Sequence, residues 1–245
     1  MNRAPRMYHC GDGAEIAWIL GRLYRTVCQP QGRKLLAVGI SLGGNALLRY
    51  LGEHGTGARH LSAAATVSAP LDMRAGGAAL SRGFNMVYTR MFLRTLKEKA
   101  SAKLDQHPGL YDRAAMLASR NLSEFDNLVT APLHGYRDVL DYWTRASSKP
   151  ILRDVRVPAL VLNARNDPFL PGQHLPGPAD VSPDVVLDLA GSQAPGQYAQ
   201  ATAPQPQAQA IGRAHVADTG PVVTVRVPYE HGGLGGEPRH RYHLG

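Results

Sequence analysis

Cysteine is nearly absent from this chain of 245 residues: there are two, Cys10 and Cys28. Two cysteines build no disulfide framework, and neither stands at metal-ligand spacing, so both read as reduced thiols. No run approaches the roughly 18 apolar residues that span a bilayer. No apolar stretch follows Met1-Asn2-Arg3-Ala4-Pro5-Arg6, as a secretory leader requires. These absences predict a cytoplasmic protein with no transmembrane segment. Zinc-finger spacings, aromatic–basic single-strand signatures and long basic runs are missing too, so no nucleic-acid partner is expected. The net charge of +8, from 27 Lys and Arg against 19 Asp and Glu, then reads as an ordinary basic surface that favours acidic partners in general. One shortage is local. Residues 190–212 contain no charged side chain, six glutamines and three prolines. Such a stretch buries too little apolar surface to offset its ordering entropy, and residues 190–221 are read as a flexible insertion.

What is present suits a single large domain: 44% of the residues are hydrophobic, enough for a sizeable core. Asp12 and Glu15 form a capping-box pattern. Ile16, Ile19, Leu20, Leu23 and Val27 follow at helical spacing, and Gln31-Gly32 closes the helix. Residues 34–39 are a short apolar run of the kind that forms a buried parallel strand. A second helix follows, with Leu47, Leu48 and Leu51 inside. Further strands are expected at 62–68, 157–163 and 222–227, with 184–189 competing for the last position. Some 85 residues between the second and third strands carry helical patterns. Arg90, Arg94 and Lys97 share one face there, and Tyr88, Phe92 and Leu96 another. Residues 73–150 are therefore read as a helical cap, with ordinary crossover helices as the alternative. Alternating strands and helices imply a mostly parallel sheet with helices on both faces.

The chemistry concentrates at Gly39-Ile40-Ser41-Leu42-Gly43. Five residues are a weak pattern, but a strand precedes this one and a helix follows, as a nucleophile elbow requires. The sharp turn lifts the Ser41 hydroxyl from the sheet and aims the Leu42 N–H at a developing oxyanion. A serine needs an imidazole base, and the base an orienting carboxylate. In the elbow fold the chain order is Ser, then Asp or Glu, then His. Asp167 in Asn166-Asp167-Pro168 lies just past the third strand, at the sheet edge where open α/β folds bind ligands. Asp72 after the second strand competes, and is expected to sit farther from any histidine. For the base, His231 follows the last strand; His240, His243 and His215 are weaker candidates. His231-Gly232-Gly233 is no oxyanion loop, because that loop precedes the nucleophile.

Several stretches resemble the YheT-like branch of the α/β-hydrolases. They are residues 6–12 (RMYHCGD), 38–55 (VGISLGGNALLRYLGEHG), 68–72 (SAPLD), 87–103 (VYTRMFLRTLKEKASAK), 124–136 (EFDNLVTAPLHGY) and 162–172 (LNARNDPFLPG). The resemblance implies a carboxylic-ester hydrolase that needs no cofactor or metal and takes a small-molecule ester, with Ser41 as nucleophile and Asp167 as charge-relay acid. It also exposes departures. The family has strands, and a loop carrying the second oxyanion donor, ahead of the point where this chain begins. Its closing motif resembles His-Gly-Gly-His-x-Gly-Phe, with the second histidine as base. Here the sequence is His231-Gly232-Gly233-Leu234-Gly235-Gly236-Glu237, and the final helix is missing. The expectation is a partial α/β-hydrolase fold, from a fragment or an altered reading frame, with His231 as the substitute candidate for the base. It stands three residues from the family's place, near the site but without good triad geometry, so that activity is expected to be weak or absent. The alternatives are a catalytically degenerate hydrolase and a minor binding role at anionic surfaces through Arg90, Arg94 and Lys97.

Overall fold

The structure, a computed structural model, describes residues 3–190. His231, Leu234, the strand expected at 222–227 and the insertion beyond Ala190 lie outside the described residues.

Helix α1 (Gly13–Leu23) starts where the capping pattern predicts: the Asp12 carboxylate accepts the Glu15 N–H at 3.2 Å. Arg6 pairs with the other oxygen of Asp12 and ties the preceding strap to the helix start. The helical spacing continues past Leu23, but the backbone widens into a π turn at Tyr24–Cys28. It tightens again at Gln29–Gln31 and stops at Gly32, whose φ of 62° favours glycine.

Strand β1 (Leu36–Ile40) feeds helix α2 (Leu42–His54), which returns to β2 (Ala63–Val67). Then come six helices: α3 (Met73–Leu80), α4 (Met86–Gln106), α5 (Arg113–Ala118), α6 (Leu122–Phe125), α7 (Ala131–Leu133) and α8 (Val139–Ala146). β3 (Ala159–Ala164) and β4 (Val185–Ala190) complete the described sheet. The segment at 184–189 is thus a strand, and Ala190, read as the start of the insertion, belongs to it. All four strands run parallel in the order β1-β2-β3-β4. Leu36 stands beside Ala63, Ala64 beside Ala159, and Ala159 beside Val185. The C-terminal ends of the strands therefore share one edge, which presents the chain turns after β1, β2 and β3.

The main core joins α1, α2 and the sheet through Leu20, Leu35, Leu48, Tyr50 and Leu51, all essentially inaccessible. Burying each such leucine stabilises the fold by roughly 1.5–3 kcal/mol. Strand β2 is built from small residues, and α2 exploits this: a Cβ at Gly44 would lie 3.2 Å from Thr66 Cβ and 2.9 Å from Ala69 Cβ. Two smaller cores lie among the helices between β2 and β3. One gathers Cys10, Ala131, Val139, Tyr142 and Trp143; the other Leu93, Leu104, Met116, Phe125 and Val129. Lys97 does not extend the basic face with Arg90 and Arg94. Its ammonium donates to the carbonyls of Leu117 at 2.8 Å and Ser119 at 2.5 Å, at the C-terminal end of α5, where a cation complements the helix dipole.

Candidate active site

Ser41 sits between the last residue of β1 and the first of α2 with φ 53° and ψ −125°. A non-glycine residue with positive φ is strained by about 1–3 kcal/mol and persists only where its surroundings impose it. Here they do. The Ser41 N–H donates to Val67 O at 2.9 Å, and the Ser41 carbonyl accepts from Gly44 N at 2.9 Å and Asn45 N at 3.2 Å. The approach is too close for a side chain at Gly39: a Cβ there would meet Gly44 Cα at 2.7 Å and Gly43 O at 2.8 Å. The glycines that carry the turn are thus Gly39 and Gly44. The serine is exposed, and its side chain makes no capping bond to α2. The N-terminal end of this 13-residue helix, beginning with the Leu42 N–H, lies directly behind it. Unpaired N–H groups and the helix dipole favour negative charge at this point.

Sequence reasoning did not single out Asn45, which holds the elbow in place. It is fully buried. Its Nδ2 donates to Cys10 O at 2.8 Å and Ala146 O at 2.7 Å, while its Oδ1 accepts from Ser148 N at 3.0 Å. One side chain ties the first turn of α2 to the N-terminal strap and to the end of α8. The Leu42 side chain packs on the same cluster. Cys10 lies in that cluster, its Sγ 2.8 Å from Tyr142 Oη. Burial pushes the thiol up to about 12, so it stays protonated and does not compete with the serine.

Asp167 lies beyond β3. Its N–H bonds back to Ala164 O at 3.2 Å and its Oδ1 accepts the Phe169 N–H at 2.8 Å, closing a tight side-chain turn. Helix α4 grips that turn. Asn85 Nδ2, at its start, donates to Pro168 O at 2.8 Å. The Phe169 ring stands edge-on to Tyr88 at 5.0 Å and to Phe92 at 5.9 Å. On the other side Gly76 of α3 makes room: a Cβ there would be 3.1 Å from Phe169 O. Strands β1 and β3 are separated only by β2, so their backbones lie roughly 10 Å apart at the usual strand spacing.

Asp72 departs from expectation. Its Oδ1 caps α3 by accepting Ala75 N–H at 3.0 Å, and its Oδ2 lies 3.9 Å from His174 Nδ1. It is therefore close to a histidine, because the turn after β3 brings His174 back over the start of α3. Asp72 and His174 line an open cavity of about 530 Å³ with Arg74, Leu140 and Trp143, whose walls include neither Ser41 nor Asp167. Among the described histidines, none is hydrogen-bonded to Ser41 or Asp167. His231 lies outside the described residues. Among the described residues no three or more His, Cys, Asp or Glu side chains group as metal ligands would, and no described helix is long and apolar enough to cross a membrane.

The sequence matches the family described as alpha/beta hydrolase fold over residues 17–192. It is 37% identical to a putative esterase, YheT, of Escherichia coli (strain K12) over 190 residues, covering 77% of this chain and 55% of that protein. It is 33% identical to phospholipase ABHD3 of Mus musculus over 188 residues, covering 76% of this chain and 44% of that protein. It is 27% identical to a monoacylglycerol lipase of Saccharomyces cerevisiae over 176 residues, covering 69% and 38%. The chain spans about half the length of these relatives, or somewhat less. The family match covers most of the chain, and the parallel sheet and the strand–elbow–helix agree with it: the chain belongs to the alpha/beta hydrolase fold family.

Proposed function

We propose that this chain is a serine-dependent hydrolase of small carboxylic esters, with Ser41 as nucleophile, His231 as base, Asp167 as the acid that orients the base, and the Leu42 N–H in the oxyanion hole. The carrying observation is the strained geometry of Ser41, an exposed hydroxyl on a positive-φ residue at the N-terminal end of α2. In this reading Ser41 Oγ attacks the ester carbonyl and its proton passes to His231. The carbonyl oxygen becomes an oxyanion facing the Leu42 N–H. Collapse of the tetrahedral intermediate breaks the carbon–oxygen ester bond. The alkoxide leaves with the proton from His231, and the acyl group stays on Ser41. Water, deprotonated by the same imidazole, then releases the acid and restores the serine. The relatives named esterase, phospholipase and lipase support ester chemistry.

A second reading, a degenerate hydrolase, is favoured by Leu234, which stands where the resemblance places the base. A fluorophosphonate probe separates the two, since only an activated serine reacts. The expected outcome is one labelled residue, Ser41, with labelling lost in Ser41→Ala and ester turnover lost in His231→Ala. A folded chain that takes no label supports the degenerate reading. Labelling that persists in Ser41→Ala removes the assignment.

A further inference from the structure

The described residues include eight large apolar side chains that are exposed, and five of them are scattered singly over other elements. The other three fall in one line. Phe84, Val87 and Met91 are 79%, 43% and 46% exposed. They sit at i, i+3 and i+7 on the turn Gly83–Asn85 and the first turns of α4, which is the spacing of one helix face. The stripe is about 10 Å long at the helical rise. Arg90 and Arg94 flank it on the same exposed side of α4, and Arg82 stands just before the turn; all three are exposed. No ion pair among the described residues engages them. The acidic residue of this face, Glu98, lies beyond Arg94, away from Phe84. An apolar stripe edged by arginines is the pattern of a segment lying in the headgroup region of an anionic bilayer.

The stripe is also continuous with the candidate active-site edge. The Phe84 ring lies 6.4 Å from Tyr88, and Tyr88 lies 5.0 Å from Phe169, two residues past Asp167. We infer that the start of α4 docks this chain on anionic lipid surfaces, with Phe84, Val87 and Met91 inserted among the acyl chains and Arg82, Arg90 and Arg94 on the phosphates. Delivery of an ester from that surface to Ser41 rests on the proposed hydrolase reading; the docking itself does not.

The test is sedimentation of the whole chain with vesicles of phosphatidylcholine alone, and of phosphatidylcholine mixed with an equal part of phosphatidylglycerol. Binding is expected to the mixed vesicles and to weaken with added salt. Replacing Phe84, Val87 and Met91 together by serine is expected to lower partitioning at least tenfold. Arg90→Gln with Arg94→Gln is expected to lower it about 25-fold, roughly fivefold for each basic side chain near an anionic leaflet. Ser41→Ala should bind like the unaltered chain, so loss of catalysis and loss of docking are read separately. Thermal melts accompany each variant, and because the substituted side chains are exposed the melting temperature should hold. The proposal is overturned if the mixed vesicles bind no protein, or if neither variant weakens binding. It is also overturned if the serine variant melts lower, which marks the stripe as covered by the chain's own residues, or turns a dimer into a monomer, which marks it as a contact between copies.

Discussion

Asn45 allows a quantitative test of how the nucleophile elbow is held. Replacing it by alanine strips the partner from three buried backbone groups at once: the carbonyls of Cys10 and Ala146 and the N–H of Ser148. Each buried group left unsatisfied costs about 1–3 kcal/mol. Allowing for some water in the vacated space, the loss is about 3–6 kcal/mol, a large share of a domain's usual margin. For a chain of this size it corresponds to a fall in Tm of roughly 6–24 °C. Asn45→Asp has nearly the same shape and isolates the chemistry. Its Oδ1 still accepts from Ser148. Its second oxygen takes the place of Nδ2, facing carbonyl oxygens now 2.8 and 2.7 Å away. An ionised carboxylate is repelled there and desolvated, whereas a protonated one donates to one of the two carbonyls. The folded-state pKa of the introduced carboxyl is therefore raised above the unfolded value of about 3.9. A raised pKa means stability that is fully present below the unfolded pKa and lost as pH rises through the folded one. Melting curves by circular dichroism, taken against the unaltered chain at each pH, should show the aspartate deficit growing from acid to neutral pH and the alanine deficit staying level. An alanine variant within about 1 kcal/mol of the unaltered chain, or an aspartate deficit independent of pH, would refute the account of Asn45 as the lock.

Other outcomes follow from the same packing. Phe169→Ala removes a half-buried ring from between Tyr88 and Phe92; a loss of about 2 kcal/mol, below the value for fully buried rings, should lower Tm by roughly 4–8 °C. In the proposed reading it also slows probe labelling of Ser41, and unchanged labelling would separate the Asp167 turn from the serine's reactivity. Two buried titrations oppose each other. Burial and the neighbouring His134 lower His9 to about 4, so its contribution is present above pH 6.5 and lost as pH falls toward 4. Burial raises Asp126 to about 6 despite its bonds from Thr130 and Trp143, so its contribution is present below pH 3.8 and lost as pH rises through 6. Between pH 4 and 6 the unaltered chain should show a shallow Tm profile, His9→Gln one that rises toward acid, and Asp126→Asn one that falls toward acid. Parallel profiles would show that neither group carries the shift.

The strands were legible because each is a short continuous apolar run beside a turn signal. The readings at 34–39, 62–68 and 157–163 meet β1, β2 and β3 to within two residues at every end. The elbow was legible for a different reason: few local sequences tolerate positive φ on a serine, and glycine spacing reveals the ones that do. The pattern nevertheless pointed to Gly43, while the close backbone approach falls on Gly39 and Gly44. What escaped depends on partners far away in the chain. Asn45 gave a local sign, a polar residue beside Leu47, Leu48 and Leu51, but its partners lie 35, 101 and 103 residues away. Lys97 shares a helical face with Arg90 and Arg94 in projection, yet the end of α5 decides where its ammonium goes. His174 approaches Asp72 only through the turn after β3, which spacing alone does not foresee.

These long-range contacts have one feature in common: they join the sheet edge to the helices between β2 and β3. Asn45 fastens the turn after β1 to the end of α8. Asn85 and the Tyr88–Phe92 pair fasten the turn after β3 to the start of α4. Asn163, buried at the end of β3, donates to Ala69 O at 2.9 Å and fixes the exit from β2 into α3. The sheet alone sets the spacing of the strands, but not the direction in which each turn leaves them. In the proposed reading Ser41 and Asp167 must face one imidazole, and hydrogen-bond reach tolerates only a few tenths of an ångström. The helices between β2 and β3 supply that constraint from above, at both turns. Loosening either fastening should therefore degrade the alignment of the pair while leaving the strands paired, and the Asn45 and Phe169 variants act on opposite ends of the same constraint.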